Sequence, residues 1–321
     1  MKAIRVAFTW AAVAALLESA SAETSNQRAP VTDWTIETVV VTAREPGPLF
    51  WHIKKGNSEV YILGTLGPLP KDLKWDTRQL ERIMMGSRAV MLPPRGRVGL
   101  FEGAWFLLTH GDVLRLPDGQ KLEQVLPPAL RQRFIAERAS LHGDAGRYAD
   151  YKPSVAGFQM EQDYVNASAL ALREPNTEIE TLASQRNVPT RNLANYPALD
   201  VIKEVPTLSM AGNLKCLEDS LDDIDVMSAH ARPAAQAWAS GDLDGIKAHY
   251  SEPKALDCLS QSATFSKLWA RSVNDTVSTI NDALTKTGKT VVVVNIGELL
   301  RQNGVVERLK AQGLTIEGPG V

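Results

Sequence analysis

Two cysteines, five histidines and an aromatic content of 6% are few for a chain of 321 residues. Each scarcity excludes something. Cys216 and Cys258 stand alone, with no Cys-x-x-Cys pair to open a zinc finger or a dithiol redox site. His52, His110, His142, His230 and His249 include no pair at zinc-helix spacing, and no His-Glu-x-x-His run occurs. No Gly-x-Ser-x-Gly elbow is present to raise a nucleophilic serine. Positive charge is not in excess, with 35 Lys and Arg against 37 Asp and Glu and a net charge of -2. A nucleic-acid ligand is excluded, because phosphate binding needs a basic face. Beyond the N-terminus no apolar run approaches the ~20 residues that cross a bilayer.

What is present begins with a targeting pattern. Lys2 and Arg5 precede an apolar run at 6–17, and Ala20-Ser21-Ala22 follows it. The pattern predicts a signal peptide over 1–22, cut after Ala22. The product would be exported, with the bacterial periplasm as its compartment, and would not be an integral membrane protein after signal cleavage. In that oxidising compartment Cys216 and Cys258 are expected to form a disulfide tying two helical segments.

Residues 23–47 read as an N-terminal arm and first strand: a polar stretch, then "ETVVVTA", then Pro46-Gly47-Pro48. "LFWHIKKGNSEVYILGTL" reads as a β-hairpin turning at Lys55-Gly56-Asn57-Ser58. Asp76 is a candidate N-cap for a helix over 77–86. "RAVML" is a short strand stopped by Pro93-Pro94. Apolar residues then recur at three- and four-residue spacing from about 99 to 281, interrupted by one short strand, "VPTRNL". A long helix is expected over 265–285. "KTVVVVNIGELLRQNGVVERLKAQGLTIE" closes the chain as strand, turn, helix and final strand. The fold class is therefore α/β, with a mixed sheet built from N-terminal and C-terminal strands and a largely helical middle.

Three motifs compete for a functional role. "TGKTVVVV" has Ala283 where a phosphate loop needs its first glycine, and it precedes its strand rather than following it. "CLEDSLDDID" gathers five acids without a calcium-loop spacing, and reads as a solvated helix face. "IETVVVTARE", at 36–45, resembles the TonB box of TonB-dependent receptors. Val39, Val40, Val41 and Thr42 would then add a strand to a partner's sheet, with TonB as the candidate partner. The competing reading, which we favour, makes the same residues the first strand of this protein's own sheet.

From Pro48 to about 318 the chain resembles the TraB/GumN family, related to the Tiki metalloproteases. The resemblance is carried by "LFWHIKKGNSEVYILGTLGPLP", by "SRAVML", by "AWASGDLDGI" with Trp238, Gly241 and Asp242, and by the C-terminal "VVVVNIGELLRQNGVVERLKAQGLTIE". It implies two strand-end Gly-x-x-His motifs and a glutamate that hold a divalent metal for peptide hydrolysis. Here the first motif is Gly64-Thr65-Leu66-Gly67, with glycine in place of histidine. The glutamate position is Pro93, and a further acidic position is Ala194. The second motif is Asn295-Ile296-Gly297-Glu298. The expected ligands are missing, so no metal and no other cofactor is expected.

The candidate cleft comprises Gly64, Thr65, Gly67, Asn295 and Glu298. The leading expectation is a periplasmic binding or regulatory module for an unknown peptide or protein partner, without metal-dependent peptidase activity. One alternative is a divergent hydrolase using Glu298 as base or lone ligand, with Thr65 or Asn295 polarising substrate. The other is an accessory of TonB-linked uptake acting through 36–45.

Overall fold

The computed structural model describes residues 46–117 and 119–320. The signal-peptide segment, nearly all of the arm and first strand, and the TonB-box-like stretch with Val39 to Thr42 lie outside the described residues.

One five-stranded sheet organises the chain. Its strands are β1 (Phe50–Lys55), β2 (Ser58–Thr65), β3 (Ser87–Leu92), β4 (Thr190–Asn192) and β5 (Gly288–Asn295). They lie in the order β1-β2-β5-β3-β4. The β1–β2 hairpin is antiparallel and pairs Lys55 with Ser58, leaving Gly56 and Asn57 in the turn. Gly56 sits there at φ +58°, a left-handed value that glycine adopts without a Cβ penalty. All other pairings are parallel, and β5 runs between β2 and β3. The mixed α/β sheet read from the two chain ends is thus the observed one.

Burial explains the central place of β5. Its Val291 and Val293 pack on one face of the sheet, and Val292 and Val294 on the other. A strand covered on both faces needs a continuous apolar run rather than an alternating one. The helices around it are α1 (Arg78–Met84), α2 (Leu100–His110), α3 (Pro128–Ser140), α4 (Pro153–Ala167), α5 (Asn176–Gln185), α6 (Leu199–Glu204), α7 (Met210–Ser240), α8 (Leu243–His249), α9 (Ala255–Ser260), α10 (Ala263–Leu284), α11 (Ile296–Leu300) and α12 (Val305–Ala311). Leu80 and Met84 of α1 and Ile179 of α5 cover the Val291 face. Trp238 of α7, Ile280 of α10 and Leu309 of α12 cover the Val292 face. A separate helical core joins Phe134, Met160, Leu217 and Ile224. There α4 and α7 approach so closely that a Cβ on Gly157 would lie 2.9 Å from Ser220 Oγ and 3.1 Å from Leu217 Cα.

Several expectations need correction. The helix after Asp76 spans Arg78–Met84 rather than 77–86, and its N-cap is Thr77, which makes no side-chain cap bond. Asp76 instead accepts the Arg78 backbone N–H at 2.9 Å and pairs with its guanidinium. The long helix near the C-terminus spans Ala263–Leu284, started by Ser262, which accepts the Phe265 N–H at 3.0 Å. The final strand shrinks to one bridge, Glu317 to His52, because the chain reaches only the outer edge of β1.

The acidic run is not a solvated face. Asp219 is fully buried and Asp223 nearly so. Asp223 accepts the N–H groups of Lys254 and Ala255, both at 2.8 Å, and so caps the start of α9. Asp222 pairs with Arg133 at 2.8 Å and Lys254 at 2.7 Å, and Asp219 pairs with Lys215. The acids hold α3, α7 and α9 together. The Cys216–Cys258 disulfide also joins α7 to α9, as expected from the cysteine count.

Candidate functional site

The carboxyl ends of β2, β5, β3 and β4 point to one edge of the sheet. Ligand crevices of open α/β sheets form at such edges, where neighbouring strands lead away in different directions. Thr65 and Asn295 are register partners there, so the two motif segments do end side by side.

Gly64 is consumed by packing. A Cβ on it would lie 2.8 Å from Trp51 Cζ3. Its carbonyl accepts the Trp238 indole N–H at 2.7 Å, and Trp75 leans on Trp238 with ring centroids 5.2 Å apart. Thr65 is buried, and its hydroxyl donates to the Val294 carbonyl at 3.4 Å. Asn295 starts α11. Its Oδ1 accepts the Gly297 N–H at 2.8 Å and the Tyr250 hydroxyl at 3.2 Å. Burial pushes that Tyr250 hydroxyl up to about 12. Glu298, in the first turn of α11, is 7% exposed. One of its oxygens accepts from Ser272 Oγ at 3.1 Å and Thr276 Oγ1 at 3.3 Å. Burial raises its carboxyl above the ordinary range, against the lowering effect of those two hydroxyls.

The predicted residues do not share one cleft. Glu298 and Asn295 open onto a cavity of about 500 Å³, together with Pro93, Tyr196, Phe265 and Trp269. Gly67 lies on a second cavity of about 150 Å³, with Tyr250 and Pro253 on the wall common to both. Gly64 and Thr65 line neither cavity. Ala194 sits where the chain leaves β4, and its carbonyl accepts the Arg95 N–H at 3.0 Å.

The metal implied by the family resemblance does not fit the strand ends. Gly67, Pro93 and Ala194 carry no donor side chain. The Asn295 oxygen already receives two hydrogen bonds, which leaves Glu298 as the one carboxylate among the motif positions, with Glu252 the other acid lining its cavity. Catalytic zinc sites use three protein ligands and an open position. No group of three His, Cys, Asp or Glu side chains among the described residues is arranged to hold an ion.

The smaller cavity holds groups that sequence reasoning passed over. His230 and His249 meet there with Nδ1 atoms 3.3 Å apart. Glu161 and Asp223 also line it, and burial first, then the Asp223 charge, pushes Glu161 up to about 7. His230 is on α7 and His249 on α8, so no helical spacing could reveal the pair. The one local signal was the helix junction between them. There Gly241 at φ +70° ends α7, and Asp242 accepts the Gly245 N–H at 3.0 Å to start α8.

Comparisons with curated proteins and with solved structures find no match. A family model does match, and it covers residues 49–318. That span takes in the whole sheet, both strand-end motifs and the helical middle. The chain belongs to the TraB/PrgY/gumN family.

Proposed function

We propose that the protein is an exported binding module, in which the strand-end cleft takes an apolar or aromatic segment of a peptide or protein partner and performs no metal-dependent hydrolysis. The observation that carries this reading is a cavity of about 500 Å³ in which Pro93 stands at the expected donor position, with Gly67, equally without a donor, on the adjoining smaller cavity. Phe265, Trp269, Tyr196 and Leu268 give that cavity aromatic and aliphatic walls with few polar groups, the usual character of a ligand pocket. Arg301 lies over the Trp269 ring, 4.8 Å from its centroid, and holds the indole at the wall. One apolar side chain buried there is worth ~1.5–3 kcal/mol.

The test uses the mature protein with manganese, cobalt or zinc and a panel of fluorogenic peptides. No hydrolysis above the metal-only control is expected. Saturable change in Trp269 fluorescence with leucine- and phenylalanine-rich peptides is expected, and Trp269→Ala should abolish it. Metal-dependent turnover would overturn the proposal.

One observation favours a second reading. A buried carboxyl with a raised pKa in a cavity is the usual form of a general acid or base. If Glu298 served a divergent hydrolase, hydrolysis would be independent of added metal and lost in Glu298→Gln. Export and the TonB-directed reading rest on residues 1–45, and a pull-down with the TonB periplasmic domain, with and without 36–45, tests the latter.

A further inference from the structure

We propose that α2, together with the Arg95–Arg97 strand that leads into it, is a docking surface for an anionic lipid bilayer. The inference is independent of the cleft.

The helix reads LFEGAWFLLTH and turns its apolar side outward. Leu100, Phe101 and Leu108 are 90%, 93% and 82% exposed, and Trp105 and Leu107 are also exposed. At about 100° per residue these five and Ala104 fall within an arc of about 160°. Phe106 points the other way and is the helix's one buried side chain. Its ring lies beneath the Lys203 ammonium, 5.8 Å from the centroid. An ordinary surface helix has the reverse polarity, with its apolar stripe on the core. The outward face exposes on the order of 600 Å² of apolar surface, at the upper end for a monomer's largest patch.

Shape and charge together select the occupant. The face is a convex ridge of long side chains, which suits a deformable apolar medium better than a rigid pocket. Trp105 brings an indole N–H to the edge of that ridge, the amphipathic character that favours a bilayer interface. Arg95 and Arg97 are exposed and form no ion pair among the described residues. Their strand is held through its backbone to Asn195–Pro197, which leaves the guanidinium groups to solvent. Val98 packs on the first turn of α2, since a Cβ on Gly103 would lie 3.1 Å from its Cγ1. Arg97, next in the chain to Val98, is therefore fixed at the same end of the ridge. Glu102 is the one acid within α2, and it falls outside the apolar arc. An apolar ridge with unpaired arginines at its base matches acyl chains beneath negative headgroups.

The experiment is vesicle flotation of the mature protein. Vesicles of phosphatidylglycerol and phosphatidylcholine at 30:70 are compared with phosphatidylcholine alone, at low and high salt. Binding to the anionic vesicles is expected, weakened by salt. Phe101→Ser with Leu108→Ser should weaken it more than tenfold, and Arg95→Gln and Arg97→Gln about fivefold each. Both pairs are exposed, so thermal unfolding should be unchanged. Brominated lipid should quench a component of tryptophan emission that Trp105→Phe removes. Absence of binding, or binding indifferent to the Phe101/Leu108 pair, overturns the proposal. So does equal binding to neutral vesicles. A dimer in vesicle-free buffer that the same pair dissociates would also overturn it, by assigning the ridge to a second copy of the chain.

Discussion

Glu161→Gln should stabilise the protein at neutral and alkaline pH and leave it unchanged in acid. Glu161, on α4, faces the smaller cavity beside Asp223, His230 and His249. It makes no hydrogen bond or ion pair among the described residues. Burial is the larger cause of its raised pKa and the Asp223 charge the smaller, and together they move it from 4.5 to about 7. The sign follows from proton linkage. Below pH 4.5 the acid is protonated in both folded and unfolded chains and costs nothing. Between 4.5 and about 7 the folded chain retains a proton that the unfolded chain has released, so stability falls as pH rises. Above that window the folded protein carries the full cost of an ionised, poorly solvated carboxylate. The interval corresponds to ~3 kcal/mol at full burial. Water at the cavity mouth screens the half-buried group, which leaves ~1.5 kcal/mol. Glutamine matches the protonated acid in shape and cannot ionise. Urea unfolding of both proteins at pH 4, 5.5, 7 and 8.5 measures the difference. Asp223, whose carboxyl burial also raises, is present in both proteins and largely cancels. The gain should be nil at pH 4, grow through the window and level off at ~1.5 kcal/mol, or ~3–5 °C in Tm. A pH-independent difference, or a loss that grows with pH, would refute the reasoning.

Two further outcomes are open to the same unfolding measurement. Cys216→Ser with Cys258→Ser removes a link across 42 residues, and loop-closure entropy sets the expected loss at ~4 kcal/mol, reproduced in the wild type by reductant. Gly157→Ala places a Cβ against the Leu217 backbone and Ser220, and a loss of ~1–3 kcal/mol is expected as α4 and α7 are forced apart.

The sheet was legible because its determinants are local. Four consecutive valines can serve only a strand covered on both faces, and Gly56-Asn57 can serve a tight turn without help from elsewhere. The acidic run misled because its meaning is not local. Asp222 and Asp223 are satisfied by Arg133, Lys254 and the Ala255 amide, and nothing in ten residues of sequence announces those partners. The strand ends were placed side by side correctly, yet Tyr250 and Pro253 divide the space in front of them into two cavities. Both residues arrive from the segment after α8, far from either motif. The exposed face of α2 escaped notice for a related reason. A periodic apolar stripe reads as core until the structure shows Phe106 alone turned inward.

Gly64 carries a consequence for how such proteins are recognised. Two tryptophans fix it, one through the space where a Cβ would be and the other through its carbonyl. Those demands belong to the scaffold and persist whether or not a histidine follows three residues later. A motif's glycine can therefore stay in place under a packing obligation of its own where the histidine is absent. A search keyed to ligands would pass this chain by. One keyed to a glycine at a strand end, an indole reaching it from a helix, and a valine-filled strand alongside would find it.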